Sequence, residues 1–180
     1  MSIRKLFLQR YTKITTFATL SFVFFHVFTI IHNFYAMHNI EIFEATPPLT
    51  KYLTDINSLI GQLSDTANHI TADDLERLTA SAASHLFLAD ADGKAVGMCT
   101  LAVYDAPTGR KAWIEDVAVD SRFRGLHIGR RLVERATEEA RKYAPCTLML
   151  TSRPTRVAAN ALYQSAGFEK KETNVYKMKL

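Results

Sequence analysis

Apolar and polar positions change rhythm several times along the chain, and each rhythm implies an element. Ile40 to Glu44 alternates and suits a short strand. Thr46-Pro47-Pro48 reads as a helix start, with Leu49, Leu53, Ile56, Leu59, Ile60 and Leu63 at helical spacing after it. A polar connection from Ser64 to Ile70 leads to a second helix. Its N-cap is Thr71, Asp73 and Asp74 sit on its positive end, and it runs to about Ser81. His85 to Leu88, Ala95 to Tyr104 and Lys111 to Asp120 are strands. They are separated by the turn signals Asp90-Ala91-Asp92-Gly93 and Asp105 to Arg110, which makes an antiparallel meander. Ile128, Leu132, Val133, Ala136, Ala140 and Tyr143 form one apolar stripe of a long helix, His127 to Tyr143. A strand (Thr147 to Thr151), a helix (Thr155 to Ser165) and a terminal strand pair (Phe168 to Lys170 and Asn174 to Leu180) complete the series. Mixed strands and helices in this order imply an α+β, or mixed α/β, fold with helices on both faces of a sheet.

One segment stands apart. From Ile14 to Tyr35 there is no charged residue, and Arg4, Lys5, Arg10 and Lys13 precede that run. Its length and flank suit a transmembrane helix, with the positive charges keeping the N-terminus in the cytoplasm. Those four residues also account for the net charge of +4. Without them the 22 basic residues fall to 18, against 18 acidic ones. The remainder is neutral, which argues against a nucleic-acid partner. Cys99 and Cys146 have no metal-ligand spacing and nothing beside them to activate a thiol. His85 and His127 stand with no acid at ligand spacing, so no metal is expected.

Candidate chemistry concentrates between Trp113 and Tyr143. Ala112 to Val119 is a strand without strict alternation, buried on both faces at its end. The loop from Asp120 to Gly125 feeds the long helix. A glycine-bearing loop at a helix start leaves backbone N–H groups aimed outward, where the helix dipole adds positive potential. A pyrophosphate fits that place, and Arg124 and Arg130 add charge to it.

Arg124-Gly125-Leu126-His127-Ile128-Gly129, with the apolar strand before it, resembles the central motif of the GNAT superfamily of acyl-CoA-dependent N-acetyltransferases. The match includes Arg124, Gly125 and Gly129, while His127 stands where the family usually has its first motif glycine. Leu162-Tyr163, three residues and Gly167-Phe168 resemble the family's late helix. The Asn that many members carry seven residues before that Tyr is Arg156 here, with Asn160 as the nearby amide. The order of elements over residues 39–180 fits the family as well.

The resemblance implies a central mixed, mostly antiparallel sheet with helices on both faces. It implies acetyl-CoA as co-substrate, with no metal, and a small-molecule or peptide amine as acceptor. Val117, Ala118, Val119, Arg124, Gly125, Leu126, His127, Ile128, Gly129, Arg130 and Asn160 would contact the coenzyme. Tyr163 would be the general acid, and Glu115 or Asp116 the base. Alternation along the strand points those two carboxylates to opposite faces. Family members often form homodimers, which this sequence neither supports nor opposes. The alternative to an enzyme is a non-catalytic acyl-CoA-binding sensor or interaction module of the same fold.

Acyl-CoA is a cytoplasmic metabolite, which conflicts with export behind residues 1–36. The favoured reading places the natural start at Met37, residues 1–36 being translated upstream sequence and 37–180 a cytoplasmic acetyltransferase domain. A membrane anchor formed by residues 14–35 is the alternative.

Overall fold

The computed structural model describes residues 40–63 and 68–178. The charge-free run 14–35 and the candidate start at Met37 lie outside them. Among the described residues no helix is long and apolar enough to cross a membrane.

Five strands form one sheet in the order β1-β2-β3-β4-β5: β1 (Ile40–Glu44), β2 (Ser84–Ala91), β3 (Lys94–Tyr104), β4 (Arg110–Val119) and β5 (Cys146–Leu150). The β2–β3 and β3–β4 pairs are antiparallel and β4–β5 is parallel. The meander and the mixed sheet are thus as the patterning implied. Among the described residues four helices flank the sheet: α1 (Leu53–Leu63), α2 (Ala72–Thr79), α3 (Ile128–Arg141) and α4 (Val157–Ser165).

The central strands are apolar on both sides because both sides are covered. On one face Leu86, Leu88, Ala95, Met98 and Ala118 pack with Tyr52, Ile56, Leu59 and Leu75 from the α1 and α2 side. The other face receives the predicted stripe of α3, where Ile128, Leu132, Val133, Ala136 and Ala140 are buried. There Phe87 is 0% exposed, and the Arg135 guanidinium lies 4.8 Å from its ring centroid. A glycine sets the spacing. A Cβ on Gly97 would sit 3.1 Å from both Ile128 Cγ2 and Leu132 Cδ1. Even a methyl group at that β3 position would force these neighbours to give by a few tenths of an ångström.

Local signals fixed most boundaries. Thr71 caps α2 in a reciprocal box, its hydroxyl accepting from the Asp74 N–H while Asp74 accepts from the Thr71 N–H. The first helix begins later than Thr46-Pro47-Pro48 suggests, with a 3₁₀ turn at Thr50–Tyr52 ahead of Leu53. A residue before proline is pushed out of the helical region, so the two prolines delay the start.

The expected terminal strand pair is a correction. No strand forms among residues 168–178, and Val175, Tyr176 and Met178 are all exposed. Phe168 to Lys170 is followed at once by Lys171, Glu172 and Thr173. So short a run with no apolar face of its own does not secure a strand.

Candidate active site

The β4–β5 ladder runs only from Arg110–Cys146 to Ile114–Leu150. On its other side β4 stays paired with β3 as far as Gly97–Val119. Residues 115–119 therefore present an edge that β5 does not pair. Parallel strands that separate in this way leave backbone donors and acceptors facing a cleft.

The same stretch carries a bulge. Glu115 pairs with Thr100 and Ala118 with Met98, so Asp116 and Val117 together oppose Cys99. Asp116 makes the room by adopting φ 52, a left-handed conformation that Asp tolerates better than most residues. Simple alternation of Glu115 and Asp116 thus fails at this point, and both carboxylates are exposed. Partial desolvation, then the neighbouring charge of Asp116, holds the Glu115 carboxyl above the usual range.

Beyond Val119 the chain is tightly held. The Asp120 N–H donates to the Val96 carbonyl at 2.9 Å. The buried Asp120 carboxylate accepts from the Arg122 N–H and Nε, each at 3.0 Å. Those Arg122 hydrogen bonds hold its pKa low against the opposing effect of burial. The Ser121 N–H donates to Gln62 Oε1 at 3.0 Å, tying this loop to the end of α1. Arg156, at the start of α4, donates to the Leu63 carbonyl at 3.1 Å.

Gly125 takes φ 82 and His127 φ 57. His127 is the N-cap of α3 without a side-chain capping bond, and the first helical bond runs from the Arg131 N–H to the His127 carbonyl. The N–H groups of Ile128, Gly129 and Arg130 thus have no intrahelical partner. Arg124 is exposed and makes no hydrogen bond or ion pair among the described residues. Arg130 is engaged, with Ser165 Oγ at 2.6 Å and Glu134 at 3.6 Å. Ile128 is fully buried, so only its backbone can face a ligand, while Leu126 is half-buried. Ala118 likewise turns its methyl group into the core.

Tyr163 is buried on α4, its ring edge-on to Phe168 at 6.2 Å between centroids. Its hydroxyl makes no hydrogen bond among the described residues. Burial raises its pKa, against a smaller opposing effect of Arg156. Asn160 spends its amide donors on the Arg153 carbonyl at 3.0 Å and the Pro154 carbonyl at 3.5 Å, bracing the turn before α4. One residue missed in sequence is Ser152, two positions past β5. Its Oγ is buried with no hydrogen-bond partner among the described residues.

Cys99 is buried and Cys146 half-buried, both as free thiols. Burial pushes Cys99 up to about 12. His85 is a correction, since it does meet acids in space. Its Nδ1 lies 2.6 Å from Glu44 Oε1 across 41 residues of sequence, and its Nε2 lies 2.7 Å from the Tyr143 hydroxyl. Glu44, His85 and Glu139 come close enough to hold a metal. However, Arg135 and Lys142 already bond Glu139 at 3.0 and 2.8 Å, which balances its charge without one.

A family model described as acetyltransferase (GNAT) family matches residues 50–168. The chain belongs to the GNAT acetyltransferase family. GNAT proteins are acyltransferases that use acetyl-CoA, and the opened β4 edge with the uncapped α3 lies within the matched region. Solved structures of the same fold include a putative acetyltransferase from Agrobacterium tumefaciens str. C58, with 24% identity and a TM-score of 0.67, covering 77% of this chain and 99% of that one. An aminoglycoside acetyltransferase from an uncultured soil metagenomic sample, in complex with sisomicin, has 17% identity and a TM-score of 0.68, covering 79% and 98%. Aminoglycoside N-acetyltransferase AAC(6')-Iy in complex with CoA has 19% identity and a TM-score of 0.64, covering 78% and 94%. No curated protein matches the chain in sequence.

Proposed function

We propose that residues 37–180 form a cytoplasmic N-acetyltransferase that moves an acetyl group from acetyl-CoA directly to an amine. The observation that carries this reading is the β4 edge from Glu115 to Val119. It is left open by β5 and leads straight to the uncapped N-terminus of α3.

Each part of that path suits part of the coenzyme. The N–H groups of Ile128, Gly129 and Arg130, with Arg124, can hold a pyrophosphate. The backbone of Val117 and Val119 can pair with the pantetheine arm as if with another strand. Bound there, acetyl-CoA supplies the activated acetyl group.

The protein's own groups handle the protons. Glu115 takes one from the amine, and its raised pKa makes it a better acceptor than an ordinary carboxylate. A β4 N–H polarises the thioester carbonyl as charge develops. A new N–C bond forms, the C–S bond breaks, and Tyr163 delivers its hydroxyl proton to the departing sulfur. The second proton to leave the nitrogen, after the first has gone to Glu115, returns to the Tyr163 phenolate. Burial keeps that hydroxyl protonated at neutral pH.

The test is calorimetric titration with acetyl-CoA together with a free-thiol release assay over a panel of amines, using protein that starts at Met37. Binding plus amine-dependent thiol release is expected. Binding with no release on any amine would identify a coenzyme-binding module instead.

A further inference from the structure

One face of β3 and β4 is covered only in part. Met98 packs beneath α1 and α2, and alternation places Thr100, Ala102 and Tyr104 on the same face. Their cross-strand partners Glu115, Trp113 and Lys111 share it, as does Met149, the β5 neighbour of Trp113. Among the described residues, the helices cover the inner end of this face and leave its outer end open. Tyr104 is 49% exposed, while Trp113 and Met149 are half-buried.

These residues form a shelf. Trp113 Nε1–H donates to the Tyr104 hydroxyl at 3.2 Å, which fixes the two rings relative to each other. Lys111, the cation of this row, is turned toward the Thr108 carbonyl at 3.5 Å. The shelf ends at Glu115 and Asp116, beside the mouth of the cleft. Trp113 and Glu115 are two residues apart on one strand, roughly 7 Å.

We infer that the acceptor is a dication, whose reacting amine lies at Glu115 and whose second ammonium group lies on the Trp113–Tyr104 shelf. The inference rests on the reading of Glu115 as the group that meets the amine. Indole is the strongest aromatic partner for a cation, and a half-buried one binds it better than a fully wetted one. Two carboxylates at the inner end favour a second positive charge and disfavour acceptors that carry a carboxylate. The spacing suits two ammonium groups roughly 7 Å apart, as in an aliphatic diamine or an amino sugar bearing several amines.

The experiment compares equilibrium binding of 1,5-diaminopentane, 1-aminopentane and sisomicin to the wild-type chain and to Trp113→Leu and Tyr104→Leu. Acetyl-CoA affinity serves as the check on folding. The diamine or sisomicin should bind at least tenfold tighter than the monoamine. Each substitution should erode that preference roughly three- to tenfold and leave acetyl-CoA affinity unchanged. Tyr104→Leu, at an exposed position, keeps the test valid if Trp113→Leu fails to fold. Equal binding of mono- and dications, or a preference that both variants retain, overturns the inference. Thiol release is scored separately. A shelf that selects dications without turnover would remove the proposed reaction and keep the binding site, and turnover of monoamines and dications alike would do the reverse.

Discussion

Ile114 and Leu150 are the last residues at which β4 and β5 are paired, and two residues past Ile114 the backbone swings to φ 52 at Asp116. The bulge and the parting of the strands therefore coincide. Extra chain in β4 tilts the strand at the point where β5 leaves it.

That coincidence makes Asp116 a conformational as well as an electrostatic residue. Asp116→Asn keeps a side chain that accepts φ 52 and should fold normally. It removes the charge that, after desolvation, holds the Glu115 carboxyl high. The Glu115 pKa then falls, and the acid limb of the kcat/KM profile should move to lower pH. Asp116→Val, β-branched in a left-handed conformation, should cost about 1–2 kcal/mol of stability. A pH–rate series and urea melts on both variants check this, and an unmoved acid limb would take Glu115 out of the base role.

Tyr163→Phe should lower kcat roughly 100-fold while leaving acetyl-CoA affinity near wild type. The lost hydroxyl makes no hydrogen bond among the described residues, so stability should hardly change. Stopped-flow thiol release with calorimetric affinity tests the pair of effects. An unchanged rate would remove Tyr163 from the mechanism.

Two glycines should respond differently to alanine. At Gly97 the new Cβ meets Ile128 and Leu132 at 3.1 Å and the Ala118 carbonyl at 3.2 Å. Gly97→Ala should therefore cost about 1–3 kcal/mol by crowding the α3 side chains that pack on β3. At Gly129 the nearest atoms are Leu162 Cδ1 at 3.5 Å and Val119 Cγ2 at 3.7 Å, ordinary contacts. Gly129→Ala should fold like the wild type. Thermal melts with and without acetyl-CoA distinguish the two.

At His127, the αL N-cap of α3, glycine should relieve about 1 kcal/mol of strain and tighten acetyl-CoA binding. His127→Val should weaken both. Titration calorimetry on the three proteins gives the order, and an order of valine above glycine would contradict it.

Periodicity exposed most of the architecture because burial imposes it. The α3 stripe from Ile128 to Ala140 and the Thr71 cap are local patterns that the fold keeps. What stayed hidden depends on distant partners. Glu115-Asp116-Val117 reads as an ordinary strand, since nothing local marks a residue that opposes Cys99 two to one. Gln62 has no motif, yet it anchors Ser121. His85 has no acid beside it in sequence, and Glu44 arrives through the β1–β2 pairing of the sheet. The terminal segment misled in the opposite sense. Asn174 to Met178 carries strand-forming residues, but no face among the described residues buries them.

The unpaired edge from Glu115 to Val119 also has a thermodynamic meaning. A strand edge and an uncapped helix are places where a folded chain still depends on water for its hydrogen bonds, and such places open at the least cost. A ligand that pairs with both completes the secondary structure as well as filling a cleft. Its binding energy then adds to folding energy, about 2.7 kcal/mol at a hundredfold excess over its Kd. Ligand supply would thereby govern how long the chain survives heat or a protease, apart from any effect on how fast it turns over.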